Sequence, residues 1–352
     1  MTREQVADLL GGGRLYSPGR DRLYTVDELM AGYRMDAPME NLDARLAAHV
    51  QAAGIPPREV DEAIAQVVHD QGVDQAMRAY VAASVAAGRD VVGVMGGAST
   101  PRDEPVYRLA ARTAKALSEA GFLVTTGGGL GIMEAGNLGA HFAGSPDDEL
   151  DSAIRELERC PVYEGHEGAY FETARVIAAR RPAGAPSLAV ATWRYDKEPI
   201  SQFATHIAKL FQNSVREDGL LSIANAGVAY FAGSFGTLQE VFQDLAQNGY
   251  AGPAQRAAMV FVDSAAYGPP ESPFHLAYAR ARDAEVPFED LISLALGRGG
   301  RRRHDGHPRL THRRRSHRGS SSAHRLTIAS TLSSWTAGSR RPSSVASSKT
   351  CR

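Results

Sequence analysis

Lysine, cysteine and long apolar runs are all scarce in this 352-residue chain, and each scarcity removes a class of chemistry. Ahead of residue 298 the only lysines are Lys115, Lys197 and Lys209. A pyridoxal phosphate enzyme needs a lysine for its Schiff base. Lys115 falls mid-helix in the sequence pattern and Lys209 in a helical-looking stretch, and neither has a signature for that role. Two cysteines, Cys160 and Cys351, cannot build a disulfide framework. No C-x-x-C or H-E-x-x-H occurs, and the one H-x-x-H, His304 and His307, lies in a polar tail. No metal and no cofactor is therefore expected. No apolar run reaches eighteen residues, and the start, MTREQVADLL, lacks a basic region followed by an apolar one. These absences predict a soluble, cytoplasmic protein with no membrane partner.

Aromatics make up only 7% of the chain, and small and aliphatic residues dominate, as in ordinary α/β enzymes. The formal net charge of −1 conceals a split. From Arg298 onward there are thirteen Arg and one Lys against the single acid Asp305, a net +13; residues 1–297 hold 25 basic and 39 acidic side chains, a net −14.

Three pieces follow from the patterning. Residues 1–88 form a helical N-terminal segment. MENLDARLAAHVQAAG, PPREVDEAIAQVVHDQG and VDQAMRAYVAASVAAG each space apolar residues three and four apart and end at glycine. Pro56 and Pro57 suit a helix start. This segment carries no chemical motif, and its open roles are packing, a cap, an oligomer contact or regulation. Residues 90–297 alternate strands with helices. VVGVMGG (91–97), FLVTT (122–126), SLAVATW (187–193), VAYFA (228–232) and AAMVFVD (257–263) read as buried strands, and helical material follows each. That order predicts a Rossmann-like, doubly wound α/β fold with a parallel sheet, ligands binding at the carboxyl ends of the strands. Residues 145–186 make a longer excursion that could wall a cleft. Residues 298–352, rich in Arg, His and Ser, cannot bury enough apolar surface to order themselves. Such a tail could contact nucleic-acid phosphates, but it has no RNA-binding motif and only Trp335 as an aromatic. Nucleic acid is not an expected partner otherwise. The abrupt change after FEDLISLALG is also what a shifted reading frame in a GC-rich gene would produce, which sequencing the locus would show.

Two glycine-rich turns carry the chemistry. Gly127, Gly128, Gly129 and Gly131 lie between the strand FLVTT and a helix opening near Ile132 and Met133. Glycine lets the backbone approach a ligand closely, and the helix start behind it offers unpaired N–H groups to an anion. The pattern is neither a P-loop nor the dinucleotide fingerprint. Gly233, Ser234, Gly236 and Thr237 repeat the device after VAYFA, and a helix carrying Glu240 in its first turn is expected next. Thr237 can donate its hydroxyl to a phosphate or cap that helix. Glu240 can serve chemistry or complete a capping box.

GGGLGIMEAGNLGA (127–140) and GSFGTLQE (233–240) together resemble the paired signatures of the Lonely guy (LOG) family, many of whose members carried a lysine decarboxylase-like label. VGVMGGAST (92–100), with Gly97 and Ser99, looks like that family's first strand and turn, and HIAKLFQNSVREDGLL (206–221) places Arg216 where its catalytic arginine belongs. The resemblance covers roughly residues 90–295. It implies hydrolysis of the N-glycosidic bond of nucleoside 5′-monophosphates to free base and ribose 5-phosphate, by a homodimer or larger homo-oligomer. Gly233, Gly236 and Thr237 would then hold the phosphate with Gly128 and Gly129, Glu240 would face the ribose, and Arg216 the reacting region.

The chain departs from the family pattern at Ala232 and Ser234, which stand where Pro and the second Gly of P-G-G belong, and at Gln239, in place of a frequent glutamate. A non-catalytic nucleotide carrier or sensor is the competing reading. For Arg216 the alternative is a solvated helix position beside Glu217 and Asp218.

Overall fold

The computed structural model describes residues 13–295 except Ala183 and 196–198, together with Thr2, Glu4 and Gly11. The basic tail, with His304, His307, Trp335 and Cys351, lies outside the described residues, as does Lys197.

Seven parallel strands form one sheet: β1 (Val91–Met95), β2 (Leu123–Thr126), β3 (Ser187–Thr192), β4 (His206–Leu210), β5 (Gly227–Tyr230), β6 (Ala258–Val262) and β7 (Ile292–Ala295). Their spatial order is β4-β3-β2-β1-β5-β6-β7. Each of the five apolar runs read from the sequence is a strand, and the all-parallel sheet is the expected Rossmann-like α/β architecture. The central strands are buried on both faces, which is why they read as continuous Val/Ala/Gly/Met runs without alternation. Register places Val92 beside Val124, Gly93 beside Val228 and Met95 beside Tyr230.

Helices cover both faces. α1 (Val26–Leu29), α2 (Leu42–Ala53) and α3 (Val60–Ala86) precede the sheet. α4 (Pro105–Glu119), α5 (Ile132–His141), α6 (Asp147–Leu157) and α7 (Glu167–Arg180) belong to the β1-to-β3 half. α8 (Asn213–Ile223), α9 (Phe235–Tyr250), α10 (Ser264–Tyr267) and α11 (Pro273–Arg282) serve the β5 half. Tyr107, Leu117, Ile132, Leu138 and Ile154 pack with Val92, Val94 and Val124 on one face. On the other, Leu46, Val73 and Met77 of α2 and α3 share a core with Ile207, Leu220, Val228 and Met259. Each large apolar side chain buried in this way contributes about 1.5–3 kcal/mol. The N-terminal helices thus bury their apolar stripe directly on the sheet domain.

Three local expectations need correction. Gly72 does not stop a helix: it is buried mid-way through the 27-residue α3, which merges two expected helices. The same helix starts at Val60, beyond Pro56 and Pro57. HIAKL, taken as the start of a helical stretch, is the edge strand β4, so Lys209 lies on a strand. Lys209 is almost fully buried, and its ammonium is held by Asp43 Oδ1 at 2.6 Å. A local pattern cannot reveal a partner 166 positions upstream, and without that partner a lysine argues against a buried strand. β7 was hidden similarly, since only Ile292 in it is fully buried. No helix among the described residues is long and apolar enough to cross a membrane.

Candidate functional site

The sheet reverses direction of growth between β1 and β5. From β1 the chain adds β2, β3 and β4 on one side, then crosses back through α8 to add β5, β6 and β7 on the other. The turns leaving β1 and β5 therefore diverge and open a crevice at the carboxyl edge, the usual ligand position in such sheets.

Three turns meet there. The Gly97 N–H donates to the Ala232 carbonyl at 3.0 Å, and the Ile132 N–H donates to the Gly97 carbonyl at 3.1 Å. The turns after β1, β2 and β5 are thus stitched together through Gly97. Two glycines are obligatory for this. Gly131 has φ +60°, and a Cβ there would strike the Gly97 carbonyl oxygen. A Cβ on Gly233 would land on the Thr237 hydroxyl and approach Gly97 N to 3.0 Å. Gly127, Gly128, Gly129 and Gly131 are buried beneath the crevice, with Met133 on the first turn of α5. Gly233, Ser234 and Gly236 are exposed at its rim, as is Ser99 at the tip of the turn after β1.

Helix α9 begins earlier than the sequence suggests. Ser234 is its N-cap residue, without a side-chain cap bond, and Phe235 and Gly236 are already helical. Thr237 is accordingly the third helical residue and not a cap. Glu240 lies in the second turn, outside both the expected first turn and any capping box. The N–H groups of the first turn have no partner within the helix and face the glycine rim. Thr237 and Glu240 are both buried, at 6% exposure each.

Arg216, in the first turn of α8, reaches the same floor. Its Nη1 lies 3.4 Å from Glu240 Oε1 and 3.0 Å from Glu217 Oε2, and its Nε donates to Asn213 Oδ1 at 3.1 Å. At 7% exposure it is no solvated surface residue, despite its acidic neighbours in sequence. A Cβ on Gly127 would stand 3.8 Å from Nη1, so the guanidinium sits directly against the first glycine turn. One cation and two carboxylates are therefore buried together below an exposed, glycine-lined rim. A planar guanidinium carries five N–H donors, enough to bond carboxylates and a ligand together.

Several residues that pattern reading passed over complete the site. The Tyr230 hydroxyl donates to Asp244 Oδ2 at 2.8 Å, one turn of α9 beyond Glu240. Burial pushes the Tyr230 phenol well above its ordinary value, and Asp244 adds to the effect. Burial also raises the Asp244 carboxyl to about 7, against the opposing hydrogen bond from Tyr230. The Tyr267 hydroxyl donates to the Phe231 carbonyl at 2.8 Å at the end of β5. Its phenol is raised first by burial and then by the charge of Glu240. Behind α5, Arg102 grips Glu134 with two hydrogen bonds of 2.6 and 2.8 Å, and Tyr107 and Tyr170 donate to the same carboxylate. That closed network fixes the helix following the glycine turn. Spacing alone showed none of these partners, because each joins two different elements, from 14 to 36 positions apart in the chain.

A cavity of about 720 Å³ lined by Asp90, Asn225, Asp244, Asn248 and Ala257 lies at the opposite, amino edge of the sheet. Its other lining residues precede β1, β5 and β6, away from the glycine turns, and it meets the candidate site only through Asp244, one turn of α9 beyond Glu240. Lys115 is tied to Glu119 and Asp147 at 2.6 and 2.8 Å. Burial lowers its pKa, but the hydrogen bonds to those acids outweigh burial and raise it overall. A lysine so paired is a poor Schiff-base nucleophile. Among the described residues no group of three or more His, Cys, Asp or Glu side chains is placed to hold a metal. The chain matches no protein-family model and no curated protein.

Proposed function

We propose that the chain hydrolyses the N-glycosidic bond of nucleoside 5′-monophosphates. The observation that carries this reading is the buried Arg216–Glu240 pair lying directly under an anion cradle at the switch point of the sheet. The motif resemblance to the LOG family points to the same residues independently. In this reading the phosphate rests on Gly233, Ser234, Gly236 and the first-turn N–H groups of α9, with the Thr237 hydroxyl as a further donor and Gly128 and Gly129 opposite. The ribose then lies over Glu240. Water adds at C1′, the C1′–N bond breaks with its electrons going to the base, and the base takes up a proton. Positive charge builds on the sugar ring as the bond lengthens, and a fixed carboxylate beneath it stabilises that charge. Glu240 also accepts a proton from, or orients, the attacking water. Arg216 holds Glu240 ionised and in place.

The homo-oligomer belongs to the same proposal. Phe235, 89% exposed at the rim, presents an apolar ring that a neighbouring copy would cover. Ser234 favours one alternative, a nucleotide carrier or sensor, because it stands where the family pattern has a glycine, and the altered loop could hold the phosphate without supporting hydrolysis.

The test is purified protein incubated separately with AMP, GMP, CMP, UMP and IMP, following free base and ribose 5-phosphate, with light scattering on the same sample. Base release by the parent, reduced at least about a hundredfold in Glu240→Gln, is the expected result. Binding of a monophosphate without release establishes the carrier, and neither binding nor release overturns both readings.

A further inference from the structure

We propose that the N-terminal segment is a positioning element of the candidate site, working through two buried carboxylates, Asp70 and Asp43, that hold the backbone leading to Arg216 and to Gly128. Its catalytic consequence rests on the function proposed above; its structural content does not.

Asp70 lies on α3 and is 1% exposed. Its Oδ1 accepts the Phe211 N–H at 2.9 Å and its Oδ2 the Gln212 N–H at 2.8 Å. These two residues are the whole link between β4 and α8, and Gln212, the N-cap residue, supplies no side-chain cap of its own. One carboxyl group that accepts two successive N–H groups at 2.9 and 2.8 Å fixes the conformation of the link. The link in turn places Asn213, whose Oδ1 accepts from Arg216 Nε. Moving residues 211–212 therefore moves both the arginine and its only helix-borne acceptor on the upstream side. Asp70 is itself fixed: its Oδ1 lies 3.0 Å from His69 Nδ1, and the far ring nitrogen is 2.8 Å from the Tyr24 hydroxyl. Further along, α3 presses on α8, where a Cβ at Gly219 would stand 3.0 Å from Met77 Cε.

Asp43, on α2 and 4% exposed, does the same for the other wall. Its Oδ1 accepts from Trp193 Nε1 at 2.7 Å and its Oδ2 from the Ile200 N–H at 3.2 Å. The next residue, Ser201, donates its N–H to the Gly128 carbonyl at 2.9 Å. One carboxylate thus leads to the arginine and the other to the glycine cradle. A segment that served packing alone would present apolar side chains here, because burying a carboxylate needs full compensation.

The two routes separate in their effects. Asp70→Asn in the full chain keeps the side-chain volume but turns an N–H₂ toward one of the two N–H groups. It is expected to lower kcat by about 10- to 100-fold while the Kd for ribose 5-phosphate stays within about twofold, and to broaden or shift the ¹⁵Nε–H signal of Arg216. Asp43→Asn also takes the carboxylate from buried Lys209 on β4, so the second route is tested in Asp43→Asn/Lys209→Met, which is expected to weaken ribose 5-phosphate binding and to leave the Arg216 signal in place. In the parent, the Phe211 and Gln212 amides are expected to exchange hydrogen only through global unfolding. Asp70→Asn with kcat within about twofold of the parent and an unchanged Arg216 signal overturns the proposal, as do parent Phe211 and Gln212 amides that exchange like an exposed loop. If the parent releases no base from any monophosphate, the proposed function fails, and the amide and Arg216 signals still decide this proposal. If neither variant folds, the parent exchange rates decide it.

Discussion

Arg216→Met removes the one cation from between two buried acids, and the cost can be worked from the site. Glu217 Oε2 and Glu240 Oε1 lie 3.0 and 3.4 Å from the same Nη1 atom, so the two oxygens are no more than about 6.4 Å apart. At an effective dielectric of about 20, two unit charges at that separation repel by roughly 2.6 kcal/mol. Loss of the buried pair itself costs about 3–5 kcal/mol. The variant escapes part of this by letting one carboxyl keep its proton, which raises that group's folded pKa above its unfolded value. The native state then binds more protons than the unfolded state, and stability falls as pH rises from the ordinary carboxyl range through the raised pKa. The expected result is a parent-minus-variant difference of about 3–5 kcal/mol at pH 8 that shrinks by about 2–3 kcal/mol at pH 5. Urea unfolding followed by the fluorescence of buried Trp193 measures it, and the difference between proteins cancels slopes they share. Adding Glu217→Gln to Arg216→Met should restore much of the loss at pH 8. A difference that is flat between pH 5 and 8, or below about 1 kcal/mol at pH 8, refutes the three-charge account.

Two further expectations concern the frame around this cluster. Gly131→Ala places a Cβ against the Gly97 carbonyl in a left-handed conformation, so it should cost at least about 1–2 kcal/mol by thermal unfolding and weaken ribose 5-phosphate binding. Asp244, raised to about 7 by burial, keeps in the folded state a proton that the unfolded chain releases at an ordinary carboxyl pKa. Its contribution is therefore full at low pH and is lost as pH rises toward about 7; Asp244→Asn should remove that slope between pH 4 and 7, read from urea midpoints, and an unaltered slope refutes the assignment.

How much of this was legible in the sequence depends on how far each signal reaches. The two glycine turns and the five central strands are local patterns, and they were readable because apolar runs ending in glycine at a strand-to-helix junction have few other meanings. Glu240 stood out locally as an acid behind the second glycine turn, but Arg216 could be singled out only by resemblance; its burial could not be read, since Glu217 and Asp218 make the neighbourhood look solvated. β4 was missed because Lys209 interrupts it, and Asp43, which neutralises that lysine, belongs to another element. Asp70 carried no signal at all: one acid in an amphipathic helix is ordinary until the backbone it serves is placed beside it. The start of α9 is not where the sequence suggests because Gly236 looks like a loop residue, whereas it is already helical and has no positive φ.

The bonds from Asp70 to residues 211 and 212 span 141 and 142 positions. During synthesis at about 5–20 residues per second, α3 emerges roughly 7–28 s before the backbone that it holds. Through that interval Val73 and Met77, buried in the finished protein, lack β4 and α8, the strand and helix against which α3 packs. The newborn chain must therefore pass through a stage in which its first helices are sticky and unclaimed, and its yield in a cell should depend on how quickly translation proceeds past Gln212.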